Sequence, residues 1–135
     1  NPMGSWHGPD AIAAVLERLP ETTVLCLDEA YVEFLPHPPL DMARIDPRVI
    51  RMRTFSKAHG MAGARCGYAI GHPILIRAFN KVRNHFGVNR VAVAGALAAL
   101  ADKDWLAQVV AEVEKAKERL TDEAGLSRFH RPQTS

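Results

Sequence analysis

The 135-residue chain is predicted to be an α/β fold, a sheet with flanking helices. Three observations carry that prediction. Short runs rich in β-formers lie at 22–27, 49–54 and 65–70; segments of helical period precede and follow them; and residues able to do chemistry stand just past the strand ends. In such a sheet, ligands bind beyond the carboxyl ends of the strands.

The elements follow in order. Across 9–19, Ile12, Val15, Leu16 and Leu19 recur at helical spacing, Asp10 sits in the first turn, and Pro20 ends the helix. The run 22–27 reads as a buried strand that delivers Asp28 at its carboxyl end. Four prolines between 34 and 47 predict an irregular segment before the second strand. After the third strand, Pro73 suits the first turn of a helix over 73–82. The segment 91–101 is apolar nearly all round, so that helix is expected to be buried. Trp105, Leu106, Val109, Val110, Val113, Ala116 and Leu120 form the apolar stripe of a last helix, and Gly125 ends the pattern.

Composition narrows the function classes. With 47% apolar residues there is enough material for a core, and disorder is not expected. The formal charge of +2 is small and the basic residues are spread, which gives no support to nucleic acid or a membrane surface as partner. No apolar stretch is long enough to span a bilayer. Cys26 and Cys66 have no metal-ligand spacing and are expected to be buried, reduced thiols; the histidines show no metal spacing either. Trp6 and Trp105 are expected to be packing residues.

The run Thr54-Phe55-Ser56-Lys57-Ala58-His59-Gly60-Met61-Ala62-Gly63-Ala64-Arg65 carries the chemistry. Two hydroxyls, a glycine-rich turn and an arginine can hold a phosphate monoester while Lys57 reaches an aldehyde attached to it. Upstream, Asp28 and Tyr31 offer a carboxylate for a pyridinium nitrogen and a phenol for the neighbouring ring oxygen. These are the groups pyridoxal phosphate (PLP) requires of a protein. Each has a plainer reading: a solvated lysine, a strand-end aspartate capping the next turn, an arginine in a structural ion pair, glycines that only turn the chain. Glu29 and Glu33 are expected to be surface or structural residues. His59 is expected to pack, with contact to substrate or cofactor as the alternative; the segment 83–86 is a polar-aromatic break between helices.

Four motifs, Asn1-Pro2-Met3-Gly4, Asp28-Glu29-Ala30-Tyr31, Thr54-Phe55-Ser56-Lys57 and Arg65-Cys66-Gly67-Tyr68, occur in the order of a known family. The chain resembles the fold-type I, class I/II aminotransferases, and within them the histidinol-phosphate aminotransferase group. Met3 stands where the family has threonine, and His59 where this group more often has an aromatic residue. The resemblance implies a PLP-binding large domain with a mainly parallel sheet, here in part (1–101), followed by the connector helix and the start of a small domain (102–135). It implies Lys57 as Schiff-base lysine and proton carrier, Asp28 at the ring nitrogen, Tyr31 and Asn1 at the ring oxygen, and Thr54, Ser56 and Arg65 at the phosphate. It further implies an amino donor and a 2-oxo acid acceptor as partners, a homodimer as the full-length state, and the cytoplasm as location. An internal fragment is expected, one that by itself binds PLP weakly and turns over little. A PLP lyase or decarboxylase of the same fold, and the PLP-sensing half of a transcription regulator, share these motifs.

Overall fold

The computed structural model describes residues 7–35 and 46–123. Helix α1 (Pro9–Arg18) leads into strand β1 (Leu25–Asp28), a 3₁₀ turn at Val32–Phe34, and strand β2 (Val49–Thr54). A second 3₁₀ turn at Ala62–Ala64 precedes β3 (Gly67–Gly71), followed by helices α2 (Pro73–Val82), α3 (Arg90–Ala101) and α4 (Lys103–Glu123). Element types and order match the sequence expectation. Most of the proline-rich segment and Gly125 lie outside the described residues.

The three strands make one sheet in the order β1-β2-β3. β1 runs parallel to β2, from Leu25 beside Val49 to Asp28 beside Met52. β3 is antiparallel to β2, with Gly67 beside Thr54 and Gly71 beside Ile50. The described sheet is therefore mixed. The connection 55–66 contains only a 3₁₀ turn, and a chain with no crossover helix returns antiparallel. As a result the carboxyl ends of β1 and β2 and the beginning of β3 share one edge.

Strand alternation gives the sheet two unlike faces. Leu25, Leu27, Arg51, Arg53 and Tyr68 lie on one; Cys26, Asp28, Met52, Thr54 and Ala69 lie on the other, where Cys26 and Met52 are exposed. Cys26 is thus a free but exposed thiol rather than a buried one, because its face is covered at its partner Ile50 but not at Cys26 or Met52 among the described residues; Cys66 is half-buried. Among the described residues the core is small: Val32, Val49, Ile50, Phe55, Ala58, Ala92 and Ala96.

Arg48 fastens α1 to the sheet. Its guanidinium donates to the carbonyls of Leu16 (3.2 Å) and Leu19 (3.3 Å), at the negative end of the helix dipole. It also pairs with Asp46 through Nε (3.0 Å) and Nη2 (2.9 Å). The side-chain bond from Arg48, helped by its backbone N–H, holds the Asp46 carboxyl below its ordinary value of 3.8. A carboxyl depressed in the folded state contributes stability that is full above its ordinary value and is lost as pH falls through the depressed one. Asp46→Asn is accordingly expected to flatten the loss of stability below pH 3.8, a modest effect at a half-exposed pair. Acid titrations followed by circular dichroism on both proteins check this; parallel curves would refute it.

The helices begin on identifiable caps. Asn89 Oδ1 accepts from Ala92 N–H (2.7 Å) at α3, and His72 Nδ1 from Ile74 N–H (3.4 Å) at α2. Asp102 serves two helices, its N–H bonding Ala98 at the end of α3 and its carboxylate accepting from Trp105 N–H (3.0 Å) at the start of α4.

Helix α3 corrects one expectation. Only Ala92 and Ala96 are buried, whereas Val91 and Leu97 are 82% and 65% exposed. The small residues form the contact stripe, and a methyl group on Gly95 would come within 2.8 Å of Met61 Cε. Uniform apolarity marks a helix that can be covered on all sides; among the described residues only one side is. On α4, Leu106, Val109, Val110, Val113 and Ala116 are half-buried as the stripe predicted, but Trp105 is half-exposed rather than packed.

Candidate functional site

The shared edge collects the residues singled out in the sequence. Asp28 is the last residue of β1, and its Oδ1 accepts from Ala30 N–H at 2.9 Å. The turn-capping role is therefore real, and it leaves the exposed carboxylate aimed from the strand end with its second oxygen unengaged among the described residues. The turn places Tyr31 at the start of the 3₁₀ segment, with its ring 6.4 Å from Phe34.

β2 ends at Thr54, and the chain then folds tightly. Thr54 Oγ1 accepts from Ser56 N–H (3.1 Å) and lies 3.5 Å from the Cys66 carbonyl. Phe55 N–H also bonds Cys66 (3.1 Å), and Met61 N–H bonds Phe55 (2.9 Å). Phe55 is buried between His59 and Tyr68, with ring centroids at 5.2 and 5.4 Å. This anchors the loop while Lys57 stays exposed. A turn closed by Gly60 N–H to the Lys57 carbonyl (2.9 Å) follows, with Gly60 at φ +67°, a conformation suited to glycine. His59 packs, as expected.

Lys57 Nζ lies 5.1 Å from the centroid of the Tyr31 ring, within cation–π range. That contact brings the Asp28–Tyr31 motif and the lysine loop to one place. Among the described residues neither Asp28, Lys57 nor Arg65 takes part in an ion pair, so the charges at this edge are open to a ligand. Arg65 adopts a left-handed backbone (φ 52°, ψ 49°) and its Nη1 donates to the Ala62 carbonyl (3.1 Å). It is exposed at the edge, immediately before β3. The plainer reading of Arg65, an ion pair, has no support here. The Thr54 hydroxyl already serves the loop, which leaves Ser56 the freer hydroxyl. Asn1 lies outside the described residues.

β3 reaches this edge because residue 67 is glycine. A Cβ there would stand 2.7 Å from the Arg53 carbonyl. Gly67→Ala is expected to push β3 away from β2 and cost about 1–3 kcal/mol, the usual range for overpacking. Urea unfolding checks it, and a change under about 0.5 kcal/mol would mean the strand pair yields freely.

One cluster was not found from the sequence. Glu29 accepts from Arg51 Nε (2.7 Å) through Oε1 and from Arg53 Nε (2.8 Å) through Oε2. Arg51 is 1% exposed. Burial lowers the charge affinity of Arg53, but its bonds to Glu29 and Tyr68 outweigh that and raise the guanidinium above its usual range. Glu29 is thus structural, one of the two roles expected. The overlooked signal was the alternation Arg51-Met52-Arg53 inside a strand bound for burial, which requires a counter-charge nearby.

A cleft of about 1050 Å³ lies elsewhere. Arg53, Tyr68, His59 and the α3–α4 corner line it, and none of Asp28, Tyr31, Lys57 or Arg65 does. By strand alternation it belongs to the opposite face from Asp28. No group of three metal-binding side chains occurs among the described residues, and no described helix is long and apolar enough to cross a membrane.

Comparison with known proteins places these features. The family model for aminotransferase class I and II matches residues 1–129. Histidinol-phosphate aminotransferase 2 of Pseudomonas fluorescens (strain Pf0-1) is 42% identical over 113 residues, covering 80% of this chain and 30% of that protein. An aromatic amino acid aminotransferase of Nocardia farcinica is 41% identical over 128 residues, 90% of this chain and 36% of that one. Among solved structures, histidinol-phosphate aminotransferase from Sinorhizobium meliloti, in complex with pyridoxal-5'-phosphate, superposes with a TM-score of 0.83 at 50% identity, over 90% of this chain and 34% of that one. The chain spans about a third of the length of the curated relatives it matches.

Proposed function

The chain belongs to the class I and II aminotransferases, and from that premise we propose that the polypeptide carrying it is a PLP-dependent transaminase of the histidinol-phosphate type. The observation that supports this most is the meeting of Lys57 with Tyr31 at the strand edge where Asp28 and Arg65 also stand. The donor set fits PLP: an open amine, an open carboxylate, a phenol, and an arginine with a nearby free hydroxyl. When bound, PLP supplies an aldehyde that condenses with amines and a ring that withdraws electrons from the substrate Cα.

The protein's part is orientation and proton handling. Asp28 would hold a proton on the ring nitrogen. Tyr31 and Asn1 would hydrogen-bond the ring oxygen, while Ser56, Thr54 and above all Arg65 would hold the phosphate, the last by charge-assisted bonds. Lys57 would hold the cofactor through its amine, and the same amine, when free, would carry the proton of the substrate Cα. An amino acid or amino-alcohol phosphate gives up the amine and a 2-oxo acid receives it. In the same reading, 1–101 belongs to the cofactor-binding domain, 102–135 to a connector helix and the start of a second domain, and the full-length protein is a cytoplasmic homodimer.

Borohydride reduction after incubation with PLP, followed by peptide mass mapping, tests the reading on this chain and on the product of its whole open reading frame. A single pyridoxyl adduct on Lys57 is expected in the latter. Scattered adducts or none in that product would overturn it. Histidinol phosphate and an aromatic amino acid, offered in turn as donor to the loaded protein, then distinguish the two kinds of relative.

A further inference from the structure

Glu29 and the arginines it bridges are outside the set expected to touch the cofactor, yet they stand beside it in the chain. Glu29 directly follows Asp28, and Arg53 directly precedes the Thr54–Lys57 run. The backbone ladder between β1 and β2 closes with Glu29 N–H to the Met52 carbonyl (2.9 Å). Beyond that bond the two strand ends are held to each other by side chains.

We propose that Glu29 is a positioning residue: its carboxylate, clamped on Arg51 and Arg53, fixes the strand end bearing Asp28 relative to the strand end that leads to Lys57. The inference rests on the PLP reading above. Each carboxylate oxygen bonds a different guanidinium, at 2.7 and 2.8 Å, so the group is fixed in two directions. The Arg51 side chain is 1% exposed and that of Arg53 16%, so rotation of Glu29 away from either takes a charge-assisted bond from a guanidinium that water reaches poorly. Alternation turns the Glu29 side chain to the face opposite Asp28. Its influence on the site therefore runs through the backbone, as a constraint on where Asp28 and Lys57 stand.

The test uses the whole open-reading-frame product loaded with PLP. Glu29→Gln keeps one acceptor but puts an amide donor against the other guanidinium; Arg53→Lys keeps the charge and loses the planar fork. Each is expected to raise the PLP dissociation constant roughly tenfold, the order seen when a group that orients a ligand-holding residue is lost. Each is also expected to change the visible circular dichroism of bound PLP, which reports how the ring is held. Arg48→Met, which loosens α1 but lies away from the site, is the control: it lowers Tm and leaves both readouts unchanged. If Glu29→Gln does not fold, Arg53→Lys decides. Wild-type affinity and dichroism in the folded variants would overturn the inference and leave the PLP reading standing, as would equal changes in Arg48→Met. Absence of a Lys57 adduct in the unmutated protein overturns both.

Discussion

In the product of the whole open reading frame, Lys57→Ala is expected to abolish the covalent capture of PLP and to slow the proposed transamination on the order of 10⁴-fold, the upper range for loss of one general acid–base group. Arg65 stands at the same edge but its guanidinium cannot be deprotonated, and no second lysine occurs between residues 46 and 80. Lys57 is exposed, stands over the Tyr31 ring and is carried on a loop anchored by Phe55, which makes it the amine presented at this edge. Single-turnover mixing with an amino donor measures the proton-transfer step directly, and mass mapping after borohydride measures capture. Turnover within tenfold of wild type, or an adduct that persists on another residue, would transfer the catalytic role away from Lys57.

Glu29→Ala should produce the largest loss of stability, roughly 3–5 kcal/mol, the range for removing one partner of a buried ion pair. The fold has a small core, so such a loss is a large share of its stability. Arg51 at 1% exposure cannot recover solvation without disturbing the sheet, and β2 is the central strand. Replacing Glu29, Arg51 and Arg53 together by apolar residues of similar size is expected to restore much of the loss, since the two cations that Glu29 bridges are then removed with it. Urea denaturation of both variants makes the comparison. A loss below about 1 kcal/mol in Glu29→Ala would mean that water or another anion reaches the arginines, and that the cluster does not hold the sheet.

Local pattern was enough for much of the fold. Strand 49–54 and helix 73–82 were bounded as observed, because β-rich composition and a first-turn proline are local properties. Strand β1 came out shorter at its start and β3 later, ends where pairing with β2 decides the boundary. The burial of Cys26, Trp105 and helix α3 was misjudged for a common reason. Hydrophobicity says which surface can be covered, whereas coverage depends on what other elements reach it. The bridging of Arg51 and Arg53 by Glu29 was invisible because the partners are more than twenty residues apart, at separations of 22 and 24.

By itself the sequence determined the inventory of chemistry: an amine, a carboxylate, a phenol, hydroxyls and an arginine at spacings that suit PLP, each next to the end of a β-rich run. Those assignments depend on residue type and local spacing, which survive any arrangement of the chain. Only the tertiary structure decided that these groups share one edge. The antiparallel return of β3 brings Arg65 there, the close approach at Gly67 permits it, and the parallel register of β1 on β2 sets Asp28 beside the strand that leads to Lys57. Hydrogen-bonded register and buried counter-charges act between segments far apart in the chain, and no local pattern encodes them.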